Sequence, residues 1–166
     1  MSLDLRSLYQ TEADSLFALL GRFGLAGADL EDAMHDTFVT AMARWATFDP
    51  RRPARPWLMG IAFRVGVARL RARREVGVEL PEERDLSQDP ERTAEARQAL
   101  RLLQRALIEV NEDQGRVFVM FDLQGVPAAE LAQSMGVPLA TIYSRLRLGR
   151  QAVQEAVQRY RQKELP

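Results

Sequence analysis

The side chains best suited to bind a nucleic acid lie in the last third of the chain. The sequence of residues 129–150 predicts a helix, a tight turn and a second helix. This is the pattern of a DNA-reading helix-turn-helix. The second helix, from about Leu139, is predicted to bury Ile142, Leu146 and Val153 and so to turn its hydroxyl and guanidinium groups outward. The outward residues are Thr141, Ser144 and Arg145. Such groups hydrogen-bond to base edges and phosphates, so duplex DNA is the first ligand to consider.

Residues for metal, thiol or acid–base chemistry are sparse. The chain has no cysteine and a single histidine, His35, so neither a thiolate site nor an imidazole cluster can form. Asp32 and Asp36 lie one helical turn apart, but no glycine-rich phosphate loop, nucleophile elbow or second carboxylate cluster accompanies them. We interpret the pair as a solvated or docking face, and we predict no catalytic residue, no metal and no cofactor.

The composition is that of a soluble globular protein with one ordinary domain or two small ones. The 166 residues are 46% hydrophobic and 28% charged. No apolar run approaches the roughly 20 residues that cross a bilayer, and Asp4 and Arg6 belong to no apolar signal segment. We therefore expect a cytoplasmic protein that does not insert into a membrane.

The formal net charge is zero, but the charges are unevenly distributed. Residues 1–75 hold 11 Arg against 9 acids, residues 76–98 hold 3 Arg against 7 acids, and residues 99–166 hold 9 Arg or Lys against 7 acids. The middle segment also lacks a sustained apolar period, so we interpret it as an acidic linker between two mildly basic domains. Of the 23 basic residues 22 are Arg, which favours bidentate contacts with phosphate and guanine.

Helical spacing predicts an all-α fold in both domains. In the first, a helix carrying Leu8, Phe17, Leu20 and Phe23 breaks near Gly24 to Gly27, and a second helix runs to about Trp45 with Asp29 as its N-cap. A proline-rich turn from Phe48 follows, and a third helix begins near Trp57. Its predicted core stripe is Leu58, Ile61, Val65 and Ala68, with Arg64 and Arg71 on a neighbouring face.

The second domain is predicted to add two helices before the helix-turn-helix. The first runs from about Thr93 to Ile108, and Asn111 with Gln114 forms a capping box variant for the next. Gly125 ends that apolar helix, and Pro138 is expected in the first turn of the last helix.

These motifs, taken in order, resemble bacterial RNA polymerase sigma factors of the extracytoplasmic-function type, in their two-domain form. In the first domain the resemblance rests on Asp29–Phe38, Trp45, Phe48–Pro50, and Trp57 through Ile61–Ala62 to the Arg69–Arg74 cluster. In the second it rests on Gln114, Arg116–Phe118, Leu123, Gly125, Glu130–Ala132, Gly136–Pro138 and Thr141–Arg150. The ordered series covers nearly the whole chain, which makes the resemblance specific.

The resemblance implies a protein that joins core RNA polymerase and directs it to promoter DNA. Its first domain would melt and read the minus-ten element, and its second would read the minus-thirty-five element. The surface with Asp32, His35 and Asp36 would dock on the largest polymerase subunit. The turn before the third helix would capture a flipped base; the candidates there are Arg51, Arg52, Arg55 and Trp57.

The resemblance assigns further DNA contacts to both domains. Arg64 and Arg71 would extend the first surface. In the second domain Thr141, Tyr143, Ser144 and Arg145 would face the major groove, and Arg147 and Arg150 the phosphates. Many relatives are also held inactive by an anti-sigma factor, which is the third expected partner.

Departures from the family pattern leave promoter preference open. Arg64 and Ala68 stand where an asparagine and an aspartate are usual, and Gly115 replaces a usual arginine. Two other functions remain as alternatives. One is a conventional helix-turn-helix regulator that binds duplex operator DNA by itself. The other is an enzyme or protein-interaction module in which the helix-turn-helix only packs.

Overall fold

The computed structural model describes residues 4–77 and 90–165, without the side chains of residues 90–93. In these ranges the fold is all-α and no strand occurs, which confirms the predicted fold class. The α-helices are α1 (Leu5–Gly21), α2 (Gly27–Arg44), α3 (Ala54–Val76), α4 (Pro90–Glu109), α5 (Glu112–Phe118), α6 (Ala128–Met135) and α7 (Leu139–Glu164). A 3-10 turn, Trp45–Thr47, follows α2, and a π-helical turn, Val119–Leu123, follows α5. Of the predicted linker, residues 78–89 lie outside the described residues, and α4 begins within it at Pro90.

The start of α2 differs from the sequence-based prediction. Asp29 is not the N-cap, because α2 begins at Gly27 and Ala26 occupies the capping position without a side-chain hydrogen bond. Asp29 lies in the first turn instead, where a carboxylate still complements the helix dipole. It also pairs with Arg73 of α3 at 3.0 Å, so this acid ties two helices together rather than ending one.

Helix α3 is buried over a wider face than the predicted stripe. Leu58 and Ile61 are buried as expected, but Val65 is half-buried and Ala68 is exposed. The further buried side chains are Met59, Ala62, Phe63, Val67 and Leu70. The prediction was wrong in part because α3 packs on α1 and α2 and also on α4 and α6, so more than one stripe is covered. It starts at Ala54 rather than Trp57, since Pro56 sits in the first turn, where its missing N–H needs no partner.

The second domain forms around α7, which crosses α4, α5 and α6. Asn111 caps α5 as predicted, accepting hydrogen bonds from the backbone N–H groups of Asp113 at 3.1 Å and Gln114 at 3.2 Å. Gly125 ends the π-helical turn with φ +67°. Pro138 occupies the N-cap position of α7, one residue before the predicted first turn. The buried side chains of α7 include Ile142, Leu146 and Val153, as expected.

The two domains pack directly on each other through α3. A Cβ placed on Gly115 of α5 would lie 3.5 Å from the Cζ atom of Phe63, so the ring fits against a backbone without a side chain. The buried Gln104 donates from Nε2 to the Arg22 carbonyl at 3.0 Å. Arg22 in turn donates to the Leu123 carbonyl at 3.1 Å. The apolar interiors therefore form one continuous core.

An aspartate organises the turn before α3. Asp49 accepts hydrogen bonds from Nε and a terminal nitrogen of Arg51, both at 3.0 Å, and from the Arg51 backbone N–H at 3.0 Å. Hydrogen bonding from the Arg51 side chain, then from its backbone N–H, lowers the pKa of Asp49 from 3.8 to about 2. The charged carboxylate thus closes the turn that carries the predicted DNA-binding arginines.

The crossing of α5 and α7 predicts a strict size limit at Gly149. A Cβ added there would lie 2.5 Å from the Gln114 carbonyl oxygen, whereas a Cβ on Gly21 of α1 would meet nothing within 4 Å. Alanine improves helix propensity by up to about 1 kcal/mol at either site. We expect Gly149→Ala to lower the free energy of unfolding by about 1–3 kcal/mol through overpacking, and Gly21→Ala to leave it unchanged or raise it. Urea unfolding followed by circular dichroism measures the unfolding free energies of both variants. Equal unfolding midpoints for the two variants would contradict the close contact of α5 and α7 at Gly149.

The Asp49 carboxylate predicts an acid-dependent contribution to stability. Because its pKa is lowered on folding, the contribution is complete well above 3.8 and is lost as the pH falls through about 2. The difference in unfolding free energy between wild type and Asp49→Asn should be constant from about pH 7 to about pH 5 and clearly smaller at about pH 3. Arg51→Gln should shrink the difference at neutral pH. A difference independent of both changes would show that Arg51 does not hold the carboxylate.

Candidate nucleic-acid interface

Three aromatic rings meet where the turn of residues 48–53 joins α3. The centroids of Phe48 and Trp57 lie 4.6 Å apart, those of Trp45 and Phe48 lie 5.3 Å apart, and those of Trp45 and Trp57 lie 5.9 Å apart. Trp57 is half-buried, so neighbouring rings support part of its side chain and another part remains accessible. A supported, partly open indole is suited to stack on an unpaired base.

The three arginines of this turn each lie near an acid of the same domain. Arg51 is the most exposed of them, with 89% of its side chain accessible, and is bound by Asp49. Arg52 lies 3.8 Å from the same carboxylate. Its guanidinium also contacts Gly136, where an added Cβ would come within 2.9 Å of it. Arg55 pairs with Glu12 of α1 at 3.3 Å. Arg52 therefore reaches the helix-turn-helix at Gly136.

The arginines predicted on the outer face of α3 reach the second domain. Arg64 donates from Nε to Glu112 of α5 at 2.6 Å. Arg71 donates to the backbone carbonyl of Ile108 in α4 at 3.4 Å. The acids and carbonyls that receive these contacts were not predicted, because they lie 37 or more residues away along the chain. In this structure the arginine face of α3 therefore borders the second domain.

The first half of α7 carries the predicted groove-facing residues on an open surface. Tyr143 is 52% exposed, and Ser144 and Arg147 are exposed. Thr141 is half-buried and only 24% of the Arg145 side chain is exposed, so two of the three residues predicted to turn outward are partly covered. Two arginines of this surface have carboxylate partners in their own domain. Arg145 lies 3.3 Å from Asp113, and Arg150 binds both oxygens of Asp122 at 2.7 and 2.6 Å. The hydrogen bond with Asp122 raises the pKa of Arg150, so this guanidinium stays charged.

Helix α2 presents its predicted polymerase-contacting residues together. Asp32, His35 and Asp36 are all exposed at one-turn spacing, and Asp36 accepts a hydrogen bond from Arg69 at 2.5 Å. Beside them, α1 and α2 enclose a groove of about 520 Å³. Its lining includes His35 itself and the apolar residues Leu5, Tyr9, Phe17, Met34, Phe38 and Met42. Sequence reasoning missed this groove, although the spacing of His35, Phe38 and Met42 continues the same helical face.

The described residues hold neither a cluster of metal-binding side chains nor a helix that could span a membrane. Within residues 4–77 and 90–165, no group of three or more acidic or histidine side chains could hold a metal ion. No helix in those ranges has the length and apolarity that a bilayer crossing requires.

Two family models match the chain, one in each domain. The model described as Sigma-70 region 2 matches residues 8–76, and the model described as Sigma-70, region 4 matches residues 100–153. A curated relative, RNA polymerase sigma factor NccH of Alcaligenes xylosoxydans xylosoxydans, is 26% identical over 150 residues, covering 84% of this chain and 78% of NccH. RNA polymerase sigma factor CnrH of Cupriavidus metallidurans is 43% identical over 49 residues, covering 30% of this chain and 24% of CnrH.

Solved structures share the fold over nearly the whole chain. CnrH in complex with the cytosolic domain of CnrY matches with a TM-score of 0.55 and 23% identity, covering 93% of this chain and 87% of that one. The sigma factor RpoE of Bartonella quintana, in complex with the anti-sigma factor NepR, matches with a TM-score of 0.55 and 23% identity, covering 92% and 98%. With a region 2 and a region 4 in this order and sigma-factor relatives along most of its length, the chain belongs to the sigma-70 family as an alternative sigma factor of the extracytoplasmic-function type, which binds core RNA polymerase and directs transcription initiation at promoter DNA.

Proposed function

We propose that this sigma factor contacts promoter DNA through two surfaces and core polymerase through a third. The observation that carries the proposal is the open surface on the first half of α7, within the part of the chain matched by the region 4 model. The proposed domains are residues 1–75 and 99–166, with residues 76–98 as the connector. We propose that the protein acts in the cytoplasm and has no catalytic activity of its own.

The upstream surface is the first half of α7. A major groove admits one α-helix, and exposed hydroxyl, phenol and guanidinium groups at its leading edge can hydrogen-bond to bases. We assign base contacts to Thr141, Tyr143, Ser144 and Arg145. Arg147 and Arg150 then lie one to two turns further along, where phosphate contacts fix the register.

The carboxylate partners of Arg145 and Arg150 would modulate DNA binding by this surface. Asp113 and Asp122 now bind Arg145 and Arg150, and a phosphate or guanine must replace them when DNA binds. The exchange costs little at Arg150, whose side chain is 53% exposed, because exposed ion pairs contribute only about 0–1 kcal/mol. It also favours a ligand that offers bidentate geometry over a diffuse anionic surface.

The downstream surface is the turn from Phe48 to Trp57 with the outer face of α3. Stacking of an unpaired base on Trp57 would use the support that Phe48 and Trp45 give its ring. Arg51, Arg52 and Arg55, near this ring in sequence, would act as phosphate ligands. Arg64 and Arg71 would extend this track along α3 once their contacts with the second domain are released.

The polymerase-docking surface is the α2 face with Asp32, His35 and Asp36, together with the apolar groove beside it. The acids would pair with basic side chains of the polymerase, and the groove would bury an apolar one. Acids steer association, and buried apolar area supplies most of the affinity. We also propose an anti-sigma partner, by analogy with the RpoE complex that contains NepR.

The upstream surface predicts a base-specific role for Arg145. Replacing it with alanine should lower transcription from the preferred promoter by about 5- to 150-fold, the range expected for one arginine–base pair of 1–3 kcal/mol. Discrimination at one position of the upstream element should weaken with it. In vitro transcription from promoters mutated at each upstream position measures both effects.

Arg161→Ala is the matched control, because Arg161 lies in the last turn of the same helix. It removes the same charge and should leave upstream discrimination unchanged. If Arg145→Ala lowers transcription equally from every upstream sequence, Arg145 contacts phosphate and the base assignment is wrong.

The docking surface predicts a charge-sensitive contact at Asp32. This residue is exposed, so Asp32→Arg should leave the helical content intact and weaken binding to core polymerase at least 10-fold by opposing its basic side chains. Asp14→Arg on α1 makes the same charge change at an exposed site outside the docking face. Titration of labelled core polymerase measures both affinities. Equal affinities for the two variants would place the docking surface elsewhere.

A further inference from the structure

A small pocket lies between the two domains and uses residues of both. Its volume is about 220 Å³. The first domain contributes Arg44, Trp57 and Arg64, and the second contributes Arg116 and Ser134. We call this the inter-domain pocket. Three guanidinium groups line it, and no acidic side chain does so among the described residues.

Arg116 is the deepest charged group of the inter-domain pocket. Only 15% of its side chain is exposed, and its one carboxylate partner in the described ranges is Asp113 at 3.2 Å. Its Nε atom is buried without a hydrogen-bond partner among the described residues. Burial lowers the pKa of Arg116, and the nearby charges of Arg64 and Arg145 act in the same direction. A buried guanidinium with an unused donor is costly unless an acceptor meets it.

Gly60 of α3 borders this guanidinium. It lines the pocket, and a Cβ placed on it would lie 3.4 Å from a terminal nitrogen of Arg116, which is ordinary van der Waals contact.

The local charges leave this region positive. Arg64 and Arg116 share their surroundings with Glu112 and Asp113, but Asp113 also serves Arg145. Arg44, at the end of α2, has no carboxylate within 4.0 Å among the described residues. The arginines therefore retain donors and positive charge directed to a cavity that both domains enclose.

We propose that the inter-domain pocket binds a small phosphate-type anion through Arg44, Arg64 and Arg116. Guanidinium groups bind phosphate oxygens through paired, charge-assisted hydrogen bonds, and the Ser134 hydroxyl can add a donor. The pocket is smaller than the roughly 300–1,000 Å³ clefts that take drug-sized ligands, so a phosphate or diphosphate group fits its scale. Inorganic phosphates and the phosphate groups of nucleotides share this chemistry.

This inference goes beyond the promoter and polymerase contacts, because the site exists only while the domains are packed together. An anion held by arginines of both domains bridges them. It also occupies Trp57 and Arg64, which are proposed to contact DNA. Anion binding and promoter binding would therefore compete, which gives the sigma factor a ligand-dependent closed form.

The test is a titration of the intact protein with inorganic pyrophosphate at constant ionic strength, with ADP and adenosine as parallel ligands. Trp57 lines the pocket, so tryptophan fluorescence reports occupancy, and the thermal unfolding midpoint gives a second readout. We expect a saturable fluorescence change and a midpoint that rises with ligand concentration. Binding of pyrophosphate alone identifies an inorganic ligand, binding of ADP at lower concentration identifies a nucleotide, and adenosine should not bind.

Single substitutions at three positions should change the affinity for pyrophosphate in different ways. Arg44→Gln changes an exposed residue and should weaken pyrophosphate binding at least 10-fold, whereas Arg101→Gln removes an exposed charge of α4 and should not. Glu112→Gln releases Arg64 from its carboxylate and should tighten binding. No saturable response in the wild type, or equal affinities for wild type and Arg44→Gln, would overturn the site. Promoter transcription by these proteins is measured separately, so failure of the pocket is distinguishable from failure of the DNA surfaces.

Discussion

The packing of α3 against the second domain is the contact on which the rest of the structure depends. Helix α3 completes the core with α1 and α2, and it also supports α4 and α6. Two glycines lie in this contact: Gly115 packs against the ring of Phe63, and Gly60 packs against the guanidinium of Arg116. Because the same helix carries the arginines proposed for the minus-ten element, the domain contact and DNA access are coupled. A small change at this interface affects stability and function together.

Local signals in the sequence predicted most of the fold and failed where distant residues decide the outcome. The Asn111 cap, the Gly125 stop and the buried face of α7 follow from helical spacing and capping alone. The extent of burial on α3 depends on the second domain, so a single stripe underestimated it. The cap of α2 was misplaced because an acid in a first turn and an acid at an N-cap look alike in sequence. Gly115, a departure from the family pattern, lies against the Phe63 ring.

The candidate sites also differ in whether they depend on a single helix or on residues that are distant in sequence. Exposed residues of α2 and α7 could be assigned from periodicity and family resemblance, because their roles depend on one helix each. The inter-domain pocket could not be predicted, since Arg44 and Arg116 are far apart in sequence and meet only through folding. The carboxylates that pair with the arginines proposed to contact DNA could not be predicted for the same reason. Together with the other acidic residues, these carboxylates offset the charge of the 23 basic residues, 22 of them arginines, so the chain has a formal net charge of zero. The paired arginines would become free to bind DNA when phosphates replace the acids.

Reconstitution with core polymerase tests the central claim most directly. The full chain, mixed with bacterial core polymerase, should co-elute with it on a sizing column and then start transcripts from a distinct set of promoters in a genomic library. Removal of either DNA element from those promoters should abolish the transcripts, because we propose that each domain reads one of them. Failure to associate with core polymerase, together with a dimer of the free protein that binds duplex DNA alone, would contradict the account.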